Sequence, residues 1–490
     1  MNTNKFYQSG AILALLFIIA CSTGRRSAQT MQPITKSIEI LAVNDMHAAI
    51  DNFPRFGFIV DSLRDIYPEM LLFSAGDNQT GNPINDQYPE KGMPIIELMN
   101  TLKFDLSAVG NHEFDSKPNG FSNILKKSNF DFICGNVEIE DKKRFPIKPY
   151  KIIPMPNGSK VAVASILDIN AGGIPDSHPD NVVGFAFSNP VETAKEYLHL
   201  RDSGEVLIYL THYGFENDVA LAKLLPNAVV DVIIGGHSHT KVDSEQIYNG
   251  TLITQSERKL KYATLIKLEL ENDKVKSKSM ELLTVGNNGN ERSDIKIKVD
   301  NYNNNPDMHV QIAEALDDFT SYEQIGYLMV DALRASSATD ISLINPGGVR
   351  IDKLPKGAVS VMDVYSMDPF GNEIVLYNLA GHEITSLLRA AYSFDEYLPI
   401  YPSGIKTKYI LRNDGEVEKV ELFDTEGQPL DLNKVYTVSM NNYMASVYVY
   451  EHDDQGTGLF RPTAESMIEY LKELKKIPSY KGENRVEIIQ

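Results

Sequence analysis

The sequence predicts an α/β protein of two units, a layered α/β sandwich over residues 37–288 and a smaller α/β domain over 320–490. Three observations carry that reading. Short apolar runs suited to buried strands alternate with helix-length segments throughout the first half. An Asn-, Asp- and Lys-rich stretch, from Gly286-Asn287-Asn288-Gly289-Asn290 to about residue 305, interrupts the pattern where a linker belongs. The length, 490 residues, exceeds what one hydrophobic core organises. With 42% hydrophobic and 23% charged residues the chain is globular, not fibrous or disordered. Its formal net charge of −19 argues against a nucleic-acid partner. It does not exclude a small phosphate ligand, because a bound metal can outweigh the global field.

In chain order, Lys5 precedes an apolar run over 11–20, long enough for a signal-peptide core and too short to span a membrane. The ending Ile18-Ile19-Ala20-Cys21 resembles a bacterial lipobox, so residues 1–20 read as a signal peptide with lipid on the Cys21 sulfur; ordinary secretion with an incidental cysteine is the alternative. Residues 21–36 then form a polar tether. This implies an extracytoplasmic protein, on the periplasmic side, touching a membrane only through its lipid; the oligomeric state stays open, and a monomer is compatible. The other cysteine, Cys134, reads as a buried small hydrophobe. Strands are predicted over 38–43, 71–73, 106–109, 130–133 and 206–208, and helices over 56–64, 94–102, 121–127 and 216–225. The runs 263–270 and 275–283, joined by Asn272-Asp273, read as a closing hairpin. A helix over 310–319 is expected to lead into the second domain.

Five clusters then share one grammar: an apolar strand, a small residue, and side chains that ligate metals. They are Asp45-Met46-His47; Gly76-Asp77; Gly110-Asn111-His112-Glu113 with Asp115 three residues beyond His112; His212; and Gly236-His237-Ser238-His239. In extended chain, positions i and i+2 face the same way, so Asp45 and His47 can reach one cation. Gly110 is expected to permit a tight turn, and Asp115 to orient the His112 imidazole. A buried structural histidine with a capping aspartate is the alternative for that heptapeptide alone. Ligands at several strand ends converge when the strands belong to one sheet, at its carboxyl edge.

In order, these five blocks resemble the calcineurin-like metallophosphoesterases, and their fuller forms resemble the 5′-nucleotidase family over about residue 37 to the end. The resemblance implies a four-layer α/β/β/α first domain and a C-terminal substrate-binding domain. It implies two divalent ions, of Mn, Zn, Fe or Co, one on Asp45, His47, Asp77 and His239 and the other on Asp77, Asn111, His212 and His237, with Asp77 bridging. His112, held by Asp115, would then serve the phosphate or the leaving group. In the second half, Asn345-Pro346-Gly347-Gly348-Val349-Arg350 can offer backbone amides and a guanidinium to an anion. It and Met367-Asp368-Pro369-Phe370-Gly371-Asn372 match that domain's motifs, and Asn442-Tyr443-Met444-Ala445 matches the start of a third. Phe370 and Tyr443 would clamp a nucleotide base. The implied reaction is nucleoside monophosphate to nucleoside plus phosphate. Alternatives are pyrophosphate cleavage in nucleotide sugars or dinucleotides, hydrolysis of 2′,3′-cyclic nucleotides, or nucleotide binding without catalysis. Two departures stand out. Residues 320–327 lack the arginine usual in that segment. Ser446-Val447-Tyr448-Val449-Tyr450 replaces a Gly-Gly-Asp-Gly-aromatic run, so that the ribose-binding aspartate falls where Val449 stands. Asp453 and Asp454 are either its replacements or solvated surface charge, and a weakened ribose grip with tolerance of deoxyribonucleotides is expected.

Overall fold

A computed structural model describes residues 35–286, 289–395 and 397–489; Cys21 and the predicted signal and most of the tether lie outside them. Two six-stranded sheets stack in the first half. One runs in the order Lys274–Thr284, Tyr262–Glu271, Thr35–Val43, Leu71–Ser74, Leu106–Ala108, Asp131–Ile133. Its last four strands are parallel, and the hairpin adds antiparallel to Thr35–Val43. Asn272 and Asp273 turn that hairpin with φ of 53° and 63°, the left-handed pair a two-residue loop requires. The other sheet runs Gln246–Tyr248, Thr251–Thr254, Val232–Ile234, Val206–His212, Lys160–Leu167, Tyr150–Pro154, with four central parallel strands.

Residue alternation builds the layers. Ile38, Ile40 and Ala42 meet Val161, Val163, Ile208 and Leu210 in a core between the sheets. Their neighbours Leu41 and Val43 face outward onto the helices Phe53–Ile66 and Met93–Leu102. On the opposite side Ala162, Leu207, Tyr209 and Ile233 face the helix Phe215–Leu224. Helix, sheet, sheet, helix is therefore the order of layers, as predicted.

The predicted helix over 310–319 is a strand, Gln311–Ala315. It pairs antiparallel with Gly357–Ser360 and parallel with Lys476–Ile477, partners that local periodicity cannot reveal. The helix lies earlier, Ser293–Asn303, inside the stretch expected to be linker. Ile295 and Val299, four apart on one face, are buried beside Phe53 and Phe56 and give that polar segment its footing. In the second half a five-stranded sheet runs Tyr401–Ser403, Ile341–Ile344, Val435–Asn441, Glu373–Ala380, Thr457–Pro462. Helices Tyr322–Ser337 and Thr463–Leu474 cover one face and Gly381–Phe394 the other. No helix among the described residues is long and apolar enough to cross a membrane.

Candidate metal centre and substrate cleft

All seven predicted ligands come together, and they come from both sheets. Asp45 and His47 follow Thr35–Val43, Asp77 follows Leu71–Ser74, and Asn111 follows Leu106–Ala108 in the first sheet. His212 ends Val206–His212, and His237 and His239 follow Val232–Ile234 in the second. A single-sheet edge was the expectation. Stacking instead puts the carboxyl ends of both parallel sets at one rim, where His212 Nδ1 lies 2.8 Å from the Ala75 carbonyl of the opposite sheet.

Three groups of donor atoms lie close enough to hold a cation: Asp45, His47 and His239; Asp45, Asp77 and His212; and His47, Asp77 and His112. The Nε2 atoms of His47 and His239 are 3.0 Å apart, and Asp45 Oδ1 is 3.4 Å from His239 Nε2. His212 Nε2 is 3.1 Å from Asp77 Oδ2 and 3.2 Å from Asn111 Oδ1, which is also 3.2 Å from His237 Nδ1. Asp45, His47 and Asp77 are thus each shared between two groups. Asp45, His47, Asp77 and His212 are buried, so their converging imidazoles and carboxylates suit a divalent cation better than water. Burial opposes ionisation of Asp77, yet His212 and His112 hold it well below its ordinary range. Burial likewise opposes protonation of His112, but Asp77 and Asp115 raise it.

His112 Nδ1 is 2.7 Å from Asp115 Oδ2, the predicted pairing. Gly110 differs from its expected role, since its φ of −99° is open to any residue. A Cβ there would stand 2.2 Å from Asp77 Oδ1, so close approach, not turn geometry, demands glycine.

Three residues given no role in the sequence reading build the surroundings. Buried Glu113 accepts the backbone N–H groups of Asp77, Asn78 and Gly110, tying two ligand loops together. Burial, with Asp77 beside it, pushes its carboxyl up to about 7. Glu at the third position of a helical turn is the capping-box signal that could have found it. Asn44 donates to Asp45 Oδ2 and accepts from Ser256, joining the rims of the two sheets. Asp168 follows the strand Lys160–Leu167 in the same grammar as the ligands and lies 3.6 Å from His237 Nε2, on the far side of the ring from Asn111.

A cleft of about 540 Å³ opens over this centre between the two halves. Asp77, Asn111, His112, His237 and His239 form one end, and Asn345, Gly347, Gly348, Arg350, Phe370, Asn442 and Tyr443 line the remainder. All the predicted substrate residues therefore face it. Arg350 Nη2 reaches to 3.5 Å from His112 Nε2, and the Phe370 ring stacks beside His112 with centroids 5.9 Å apart. Among the described residues no carboxylate lies within ion-pair distance of Arg350. The Gly348 N–H is taken by the Asn345 carbonyl within its own turn, which leaves Arg350 as the cation of that motif. A second hollow, of about 730 Å³ around Asp331, Arg334 and Arg485, lies in the second half away from these donors, with Asp331 already bound by Arg485.

Fold and donor set define a calcineurin-like phosphoesterase, a metal-dependent hydrolase: residues 38–241 match that family. Residues 307–448 match the 5′-nucleotidase C-terminal domain, and the chain belongs to the 5′-nucleotidase family. It is 26% identical to a 5′-nucleotidase of Vibrio cholerae, over 90% of each chain. It is 25% identical to the endonuclease YhcR of Bacillus subtilis over 96% of its own length, but spans only 42% of that protein. The crystal structure of a 5′-nucleotidase precursor from Thermus thermophilus matches it with a TM-score of 0.81 and 26% identity, covering 93% of this chain and 100% of that one.

Proposed function

We propose that this protein hydrolyses extracytoplasmic nucleoside 5′-monophosphates to nucleoside and phosphate at a centre of two divalent ions. The observation that carries the reading is the single cleft in which Arg350 and Phe370 of the second half reach His112 beside the ligand cluster. Asp45, His47, Asp77 and His239 would hold one ion, and Asp77, Asn111, His212 and His237 the other. The nitrogen and oxygen donors suit Mn, Zn, Fe or Co. Such ions supply Lewis acidity and acidify the attacking water. Arg350 binds the phosphoryl oxygens. His112, its Nδ1 side fixed by Asp115, delivers a proton from Nε2 to the leaving oxygen. Phe370 and Tyr443 grip the base, and Asn345, Gly347, Gly348 and Asn442 shape the wall between. The Ile18-Ile19-Ala20-Cys21 sequence supports anchoring by lipid on Cys21.

A second reading, cleavage of nucleotide sugars, dinucleotides or cyclic nucleotides, keeps the same centre. Lys117 and His178 favour it, because they add a cation and an imidazole to the lining of the cleft, which a second phosphate could use. Turnover of nucleoside monophosphates, cyclic nucleotides, nucleotide sugars and bis(4-nitrophenyl) phosphate, with and without EDTA, separates the two. Monophosphates should be the best substrates and EDTA should abolish their hydrolysis. Diester or pyrophosphate turnover without monophosphate turnover would overturn the first reading.

A further inference from the structure

The histidines of the metal centre differ in what stands behind each ring. His47 Nδ1 faces the Thr80 carbonyl at 2.9 Å and His212 Nδ1 the Ala75 carbonyl at 2.8 Å, neutral groups in both cases. His237 is turned the other way round. Its Nδ1 is on the cluster side, 3.2 Å from Asn111 Oδ1, and its Nε2 faces a charged group, Asp168 Oδ2, at 3.6 Å. That distance is an ionic contact just short of a formed hydrogen bond, and the partly exposed ring has room for the small remaining tilt.

Asp168 is set in place by the backbone. It directly follows the strand Lys160–Leu167, and its N–H donates to the carbonyl of His212, the ligand on the neighbouring strand, at 2.8 Å. Its Oδ1 accepts the Ile169 N–H at 2.9 Å, which leaves Oδ2 as the oxygen turned to the His237 ring. Asn111 is oriented from the other side, where its Nδ2 donates to the Asp176 carbonyl at 3.1 Å and its Oδ1 is left to the cluster. Asp168 does not line the substrate cleft, so it acts on the ring and not on the substrate.

We propose that Asp168 is a positioning residue for one of the two ions: it accepts the Nε2–H of His237, so presenting Nδ1 to the metal, and adds negative charge behind the ring. This rests on the two-ion reading above. An imidazole that ligates through Nδ1 carries its proton on Nε2, and an acceptor there fixes the tautomer and the ring angle and makes the ligand more basic. The charges point the same way. Asp45 and Asp77 both face the ion of His47 and His239, whereas Asp77, which is shared, is the sole carboxylate among Asp77, Asn111, His212 and His237. Asp168 makes up that difference through His237.

The test is Co²⁺ binding to protein stripped with EDTA, read by elemental analysis at fixed free Co²⁺ and by the cobalt absorption spectrum, which reports the ligands of each ion. The wild type should take up two ions. Asp168→Ala should weaken one of them about 10- to 100-fold and leave the other unchanged. Asp168→Asn, which keeps an acceptor oxygen but not the charge, should fall between. Added to His237→Ala, Asp168→Ala should cost much less than it does alone, because it acts through that ring. Unchanged affinities in Asp168→Ala, equal weakening of both ions, or the same loss in the His237→Ala background overturns the proposal and leaves the two-ion reading standing. A wild type that takes up fewer than two ions overturns both.

Discussion

Glu113→Gln is the substitution that best tests how the ligand loops are held. The two oxygens of Glu113 divide their work. Oε2 accepts from the Asp77 N–H at 3.0 Å and the Gly110 N–H at 2.6 Å, and Oε1 accepts from the Asn78 N–H at 2.8 Å and Asn78 Nδ2 at 3.1 Å. Glutamine keeps the shape, but whichever way it turns, an NH₂ group faces two N–H donors. Two bonds to a charged, buried acceptor are lost. At about 1.5–3 kcal/mol each, the variant should be less stable by about 3–6 kcal/mol. Urea unfolding at about pH 8, above the raised Glu113 value, measures this. The loss also frees the backbone that carries Asp77 and leads into Asn111, so metal affinity should fall about 10- to 100-fold, as for other outer partners of ligands. Stability within about 1 kcal/mol of wild type, together with unchanged metal affinity, would refute the reasoning.

Asp77→Asn should deplete both ions and abolish activity, whereas His239→Ala should deplete mainly one; metal content per chain by elemental analysis decides. His112→Ala should lower turnover about 10²- to 10⁴-fold with metal content unchanged, and loss of metal would make His112 a ligand instead. Burial pushes the Asp368 carboxyl up to about 6, partly offset by its hydrogen bond from Thr463. A raised carboxyl contributes stability that is complete below its unfolded value near pH 4 and lost as pH rises through about 6, roughly 3 kcal/mol for two units. Asp368→Asn should therefore gain on the wild type in urea unfolding between about pH 4 and pH 8. If Cys21 carries lipid, the mature protein should partition into detergent and Cys21→Ser should release it; a water-soluble wild-type product with another N-terminus refutes the anchor.

Local pattern made much of the first half legible. Alternation along 38–43 and 206–210 is enough to send one set of residues between the sheets and the next onto helices, because side-chain direction in a strand depends on parity alone. Long-range pairing is what it could not show. Residues 311–315 carry buried Ile312, Ala313 and Ala315, a spacing compatible with helix or strand, and only Gly357–Ser360 and Lys476–Ile477 decide between them. Helix Ser293–Asn303 was hidden for the opposite reason: two buried apolar residues suffice for it, and its polar majority reads as linker. At the site, the candidate ligands stood out by type and spacing, whereas Glu113 and Asn44 act by holding neighbouring loops together.

One property of the ligand set lies beyond any reading of residue type. Asp45, His47, Asp77, His237 and His239 all have positive φ, from 44° to 79°. A non-glycine residue held there costs of order 1–3 kcal/mol, and persists only where its surroundings overdetermine it. Around Asp45, His47 and Asp77 they do so through bonds between loops: Asp45 N–H to Gly76 O at 3.0 Å, His47 N–H to Asp77 O at 3.0 Å, Ala48 N–H to Asn78 O at 2.8 Å, and Lys259 N–H to Asp45 O at 2.7 Å. Glycine would fit these backbones without strain but has no donor atom. The chain therefore keeps side chains where sterics prefer none, and spends the stability of two packed sheets to aim them at one point. That expenditure has no structural return of its own. It makes sense only if what occupies the point is a cation that the donors must reach together, which is the same conclusion the buried, converging imidazoles and carboxylates reach by charge.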